Sequence, residues 1–236
     1  MTKRFHASTT KIEIIQVGTR MFVERGFTET SVQAISEELG ISKGNFTFHF
    51  PTKEHLLLEL TKYLAKFHTR EINIAKSEGL NNLLAYCWEV TAQIAMCEDH
   101  PQAKDFYLAI YSYPSTLAYV KEWAAEKNIR LLAETLPDWT FERFRLVENV
   151  ASRIEMSALT DACTDTYPLE DKIILTLDSL LKLYEIPKED RQTAIAQILK
   201  IDYRNIGKKI FKEFVAYVER LNQQALDDAL EGYSVN

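Results

Sequence analysis

The chain has 236 residues, 46% of them hydrophobic and 26% charged, and a formal net charge of −6. That length admits one large domain or a small one beside a larger one, and an acidic balance argues against a general polyanion binder. With 7 Gly and 6 Pro there is little material for a many-turned β fold.

No apolar run reaches the roughly 18 residues of a membrane span, and the N-terminus has no apolar stretch followed by small residues, so a cytoplasmic chain without a signal peptide is expected. Helical periodicity runs almost throughout. Ser8, Thr9 and Thr10 offer N-cap hydroxyls for a first helix; Ile12, Ile15, Thr19, Phe22 and Val23 continue it, and Gly26 closes it. Thr30-Ser31 caps a second helix, roughly 31–38, with Val32, Ile35 and Leu39 on one face and Gly40 as its stop. Ser42 caps a short third, roughly 42–48, which Pro51 ends because the residue before proline is pushed out of α geometry. Thr52 caps a fourth, with Leu56, Leu57, Leu60, Tyr63, Leu64 and Phe67 as its apolar side. Longer helices are expected near 79–98, 101–111, 115–135, 139–163, 168–185, 188–200 and 203–230, punctuated by Gly79 and by prolines, and the last five residues are expected to fray. The class is all-α, with a small domain over 1–51 and a larger helical one over 52–236.

The second and third helices flank a Leu39-Gly40-Ile41 turn, a helix-turn-helix spacing. Gly40 can take the positive φ of a tight turn, and Ser36 is small enough for close helix approach. Ile35, Leu39, Ile41 and Phe46 then form a shared core with Phe50, which leaves Ser42, Lys43, Gly44, Asn45, Thr47, Phe48 and His49 outward. Charge supports a nucleic-acid face. Residues 1–55 sum to +1 and residues 56–236 to −7, with Lys3, Arg4, Lys11 and Arg20 set against Glu13 alone. Lys3 and Arg4 could extend that face to a phosphate or the minor groove.

Residues 11–60 resemble the DNA-binding domain of the tetracycline-repressor (TetR) family, through Phe22, Glu24-Arg25-Gly26-Phe27, Thr30-Ser31-Val32, Ile35, Leu39-Gly40-Ile41-Ser42-Lys43-Gly44, His49-Phe50 and Lys53-Glu54. The resemblance implies an all-helical homodimer that binds double-stranded DNA with its N-terminal helices and a small-molecule effector in its body. It implies a DNA-facing set of Thr30, Ser31, Ser42, Lys43, Gly44, Asn45, Thr47, Phe48, His49 and Lys53. Lys43, Gly44, His49 and Lys53 would meet phosphate and Asn45 base edges. The chain departs from the family's usual tyrosine at Thr47, which keeps a hydroxyl with less reach.

In the body, Trp88, Phe106, Tyr107, Tyr111 and Trp123 are the aromatic candidates for a ligand pocket. Glu89, Glu155 and Asp161 bring charge to the same stretches, and nothing in the sequence separates them from solvated faces. His100 reads as a surface histidine. The segments 139–163 and 168–185 are the expected dimer surface, the second through Ile173, Ile174, Leu177, Leu180, Leu181 and Tyr184. A later amphipathic helix, with Ile206, Ile210, Phe211, Phe214, Val218 and Leu221, either joins that surface or covers the body. The three cysteines lie far apart and read as reduced core thiols. No nucleophile–base pair, glycine-rich phosphate loop or metal spacing occurs, so an enzyme, a cofactor and a metal are not expected. The function indicated is a ligand-responsive transcriptional regulator, a repressor on a palindromic operator. The alternative is a dimeric DNA-binding protein without an effector, controlled by abundance or a protein partner.

Overall fold

The computed structural model describes the backbone of residues 2–234 and the side chains of residues 9–225 and 227. Eleven α-helices follow one another among the described residues: α1 (Thr2–Arg25), α2 (Val32–Leu39), α3 (Lys43–His49), α4 (Lys53–Ser77), α5 (Asn82–Asp99), α6 (Pro101–Ser112), α7 (Pro114–Leu132), α8 (Phe141–Thr160), α9 (Leu169–Leu183), α10 (Lys188–Ile198) and α11 (Tyr203–Ser234). The only β pairing among them is an isolated bridge between Thr164 and Tyr167.

Helix ends follow the punctuation. Ser31, Ser42, Asn81 and Thr140 each accept a hydrogen bond from the backbone N–H three residues on. Pro101 and Pro114 open α6 and α7, where a missing N–H costs nothing. Two expectations are corrected. The first helix already runs from Thr2, so Ser8–Thr10 lie inside it. Thr52 precedes α4 but makes no side-chain cap, because its hydroxyl is paired with His55 Nδ1 at 3.0 Å. Residues 235–236 of the expected frayed tail lie outside the described residues; the preceding ones continue α11.

α5 is the axis of the body. It touches α4, α6, α7, α8, α9, α10 and α11, and residues all round it are buried, from Tyr86 and Cys87 to Ile94 and Ala95. α11 lies along α5 and α1 of its own chain with Ile210, Phe214 and Val218 buried. Gly207 permits that crossing: a Cβ there would stand 2.7 Å from the backbone of Ala95 and Met96. Cys87 and Cys97 are buried free thiols, and Cys163 is a half-buried one. His100 is half-buried rather than on the surface, with its ring stacked on Phe211 at 4.6 Å.

Candidate nucleic-acid interface and body cavity

α2 and α3 meet through a turn in which Gly40 adopts φ 65 and ψ 26, the left-handed region that side-chain-bearing residues rarely adopt. Ser36 is buried and bonds back to Val32 O at 2.9 Å, which keeps its hydroxyl satisfied at the close helix contact. Ile35, Phe46 and Phe50 are all under 3% exposed and fix α3 to the core. Ser42 Oγ accepts from Asn45 N at 3.1 Å.

The other face of α3 is open. Ser42, Lys43, Gly44 and Asn45 are exposed, and Phe48 is 75% exposed. A Cβ on Gly44 would meet only Ser42 Oγ at 3.8 Å, so the helix backbone there is approachable. Phe48 stands edge-on to His49, with ring centroids 5.0 Å apart. Burial, and then the nearby Lys11, hold the His49 pKa below its ordinary value, so the ring is neutral at pH 7 and offers one N–H. Thr47 turns its hydroxyl to Gly44 O at 3.1 Å, within its own helix.

Two members of the expected set have structural duties. Thr30 is 1% exposed and donates to Gly26 O at 2.7 Å and Met21 O at 3.2 Å, satisfying carbonyls left over at the end of α1. Lys53 donates to Phe27 O at 2.8 Å and Thr30 O at 2.9 Å, with its ammonium 4.0 Å from the Phe27 ring centre. Two of its three N–H groups therefore hold the α1–α2 turn. Ser31 is exposed, its oxygen occupied by the α2 cap. The positive stretch of α1 is also moderated across helices, since Arg20 pairs with Glu38 at 2.6 Å and Lys11 with Glu59 at 3.7 Å. The Lys3 and Arg4 side chains lie outside the described residues.

The body holds a cavity of about 30 Å³ between α4, α5, α6, α7 and α8. Thr61, Leu64, Ala65 and His68 of α4 line one side, Tyr107, Ile110 and Tyr111 of α6 another, and Val120, Trp123, Ala124 and Lys127 of α7 a third, with Gln93 and Glu155 completing it. A polar network surrounds it. Lys127 pairs with Glu89, His68 Nε2 meets Tyr107 OH at 2.9 Å, and Tyr111 OH donates to Glu155 Oε2 at 3.0 Å. Behind it Glu148 accepts from Tyr184 OH and, at 2.9 Å, from Asn128 Nδ2. Burial drives the His68 pKa down to about 4, so its ring is neutral. Among the described residues, no group of three or more His, Cys, Asp or Glu is placed to hold a metal ion. Among the described residues no helix is long and apolar enough to cross a membrane.

Residues 14–60 match the family described as bacterial regulatory proteins, tetR family. The match covers α2, α3 and the adjoining parts of α1 and α4. The chain is 37% identical over 110 residues to the uncharacterized HTH-type transcriptional regulator YuxN of Bacillus subtilis (strain 168), a match covering 46% of this chain and 36% of that protein. The chain thus spans about a third of the length of that relative. In structure it is similar to RolR in complex with resorcinol, with TM-score 0.64, 12% identity and coverage of 83% of this chain and 96% of that one. It is also similar to Thermus thermophilus FadR, a TetR family repressor in complex with lauroyl-CoA, with TM-score 0.54, 18% identity and coverage of 72% and 93%. At these identities the structural likeness shows the fold.

Within the body, three of the five aromatic candidates come together at the cavity: Tyr107, Tyr111 and Trp123. Phe106 instead faces α1 and α11, near Phe22 and Phe214, and Trp88 packs with Ile198, Ile201, Tyr203 and Ile206. Glu89 and Glu155 belong to the network, whereas Asp161 is exposed and accepts from Ser157. His68, Gln93 and Lys127 went unread. A signal for His68 was present, since Thr61, Leu64, Ala65 and His68 follow i, i+3, i+4, i+7 and place polar groups inside an apolar stripe.

Proposed function

We propose that this chain is a TetR-family regulator, a dimeric, ligand-responsive DNA-binding protein acting in the cytoplasm as a repressor on a palindromic operator. The observation that carries the reading is the face of α3, where Ser42, Lys43, Gly44, Asn45 and Phe48 stand exposed together over a buried Phe46–Phe50 anchor. Such a helix fits a major groove, with phosphates fixing position and side chains reading base edges. Lys43 and His49 take phosphate, Asn45 an adenine edge, and exposed Phe48 an apolar contact such as a thymine methyl. Ser31 and Thr47 offer hydroxyls at the margins, and Lys53 keeps one N–H free for a phosphate. The division is a reading head over 1–51 and a body over 52–236.

The dimer forms through the outer faces of α8 and α9. There Leu146, Val150 and Leu175 are 69%, 51% and 58% exposed. The α9 residues Ile173, Leu177, Leu180, Leu181 and Tyr184, by contrast, are fully buried in their own chain and leave that surface to others. The effector occupies the body cavity; the resorcinol complex of RolR and the lauroyl-CoA complex of FadR support a binding body in this fold. An effector preferring the released form by about 1–3 kcal/mol would change operator occupancy 5- to 150-fold.

The test is selection of bound fragments from random duplex DNA, followed by affinity against salt. Enrichment of a two-half-site palindrome with a steep salt slope is expected; a folded dimer that enriches nothing overturns the reading. On the selected operator, Asn45→Ala should relax base preference at one position more than it lowers non-specific affinity. A uniform loss over all sequences would remove Asn45 from the reading set.

A further inference from the structure

We propose that the effector is an organic cation, an amine or quaternary ammonium on a small apolar body, seated against Glu155 with Tyr107, Tyr111 and Trp123 around it. This rests on the reading of the body cavity as the effector site.

The charge around the cavity is unbalanced. Glu155 of α8 lines the cavity, Glu148 of α8 and Glu89 of α5 lie within electrostatic reach of it, and among the described residues Lys127 is the ammonium that acts on it. Lys127 is already bound to Glu89, and His68 is neutral. Donors are short as well. Glu89 Oε1 and Glu148 Oε2 are buried without a hydrogen bond. Glu155, the carboxyl that lines the cavity itself, receives one hydrogen bond among the described residues, from Tyr111. Glu155 is half-buried with one donor beside two buried carboxylates, and gathering negative charge there is costly, so the site either takes up a proton or takes up a positive ligand.

In this closed state the proton is the solution. Burial first, and then the charge of Glu148, push the Glu155 pKa up to about 8, against the opposing pull of Lys127 and the Tyr111 hydrogen bond. The groups acting on it are Glu148 and Lys127 from α8 and α7, Glu89 and the phenol of Tyr86 from α5, the phenols of Tyr107 and Tyr111 from α6 and that of Tyr184 after α9, with His68 of α4 set against Glu89. A bound cation would displace that proton to solvent and leave an ion pair. The walls suit a cation, since aromatic faces attract positive charge. Trp123 already shows it, with Lys127 Nζ 4.7 Å from its ring centre. An anion would meet Glu155 and Glu148 while finding the single ammonium occupied. A neutral phenol is the remaining rival; it would leave Glu155 protonated.

The cavity of about 30 Å³ is the size of a single water's share of liquid, so a ligand must push its walls apart. Two of those walls, Tyr107 and Tyr111, ride on α6. The same helix carries Asp105, which accepts from Thr28 N at 2.8 Å and Thr28 Oγ1 at 2.5 Å in the α1–α2 turn. Occupation therefore loads the joint between body and head.

The experiment is calorimetry of the full chain with 2-phenylethylamine and benzyltrimethylammonium against 2-phenylethanol, at pH 6.5 and 8.5. The cations should bind at least about tenfold more tightly than the alcohol at pH 8.5. Their affinity should rise roughly twentyfold between the two pH values, the ratio of deprotonated fractions for a group titrating near 8, with proton release seen as buffer-dependent heat. The alcohol should show no such rise, and Glu155→Gln should erase the cation's advantage. Equal affinities, a preference for the alcohol, a pH-flat cation or no binding at all would each overturn the proposal, and the wild-type comparison decides it even where the variant fails to fold. Cation binding that leaves operator affinity unchanged would keep the cation site and overturn its role as the effector site.

Discussion

Lys43 and Lys53 carry the same charge at the two ends of one motif and do different things. Lys43 is exposed on α3 with no partner of its own, whereas Lys53 is half-buried and gives two N–H groups to carbonyls of the α1–α2 turn. Lys43→Ala should therefore leave the melting temperature in place and lower the salt slope of DNA binding by about 0.9, the loss of one phosphate contact. Lys53→Ala should cost about 1–3 kcal/mol of stability, from two charged hydrogen bonds and the Phe27 contact, measurable by chemical denaturation. Equal denaturation midpoints for the two variants would contradict this division. The sequence placed Phe46 and Phe50 inside and Asn45 outside because those follow from helical period alone. It did not show the structural duties of Thr30 and Lys53, because their partners are backbone carbonyls that no spacing rule reports. Arg20 and Lys11 likewise looked unopposed until α2 and α4 brought Glu38 and Glu59 against them.

Among the helices, α6 has the most consequential position, touching the head at one end and the cavity along its length. Asp105→Ala removes both hydrogen bonds to Thr28 and should speed amide exchange in residues 26–31 while leaving α8 and α9 protected. Unchanged exchange in that turn would mean that α6 does not hold the head. Boundaries of the body helices were largely legible, because Pro101, Pro114, Pro168 and Pro187 mark them in the chain. The start of α1 was not, since three hydroxyl residues imitate a cap where the helix simply continues. The cavity was legible only in part. Its aromatic walls share one stretch of sequence, but Glu89, Lys127 and Glu155 meet through the packing of three separate helices.

At the scale of the whole molecule, the exposed apolar strip of α8 and α9 and the buried charges set two expectations. Leu146→Glu should convert the proposed dimer to monomers by sedimentation and weaken operator binding with little change in protomer folding; a dimer that persists would move the interface elsewhere. The charges make stability depend on pH in opposite senses. His68 titrates at about 4 in the fold against 6.5 unfolded, so its contribution is present above 6.5 and lost as pH falls towards 4. Glu155 titrates at about 8 against 4.5, so its contribution is present below 4.5 and lost as pH rises through 8. Their opposite slopes cancel between about 4.5 and 6.5. Glu155→Gln should gain on the wild type by up to about 1.4 kcal/mol per pH unit from 6.5 to 8, read by denaturation; a constant difference would show that Glu155 does not titrate there. The packing of α11 on α1 also reaches into biosynthesis. Phe22 and Val23 of α1 face Phe211 and Phe214 of α11, and a ribosome adding 5–20 residues each second makes these two helices roughly ten to forty seconds apart. Through that interval the nascent head carries an uncovered greasy groove, a natural stop for a chaperone, and its cover arrives only with Phe211 and Phe214.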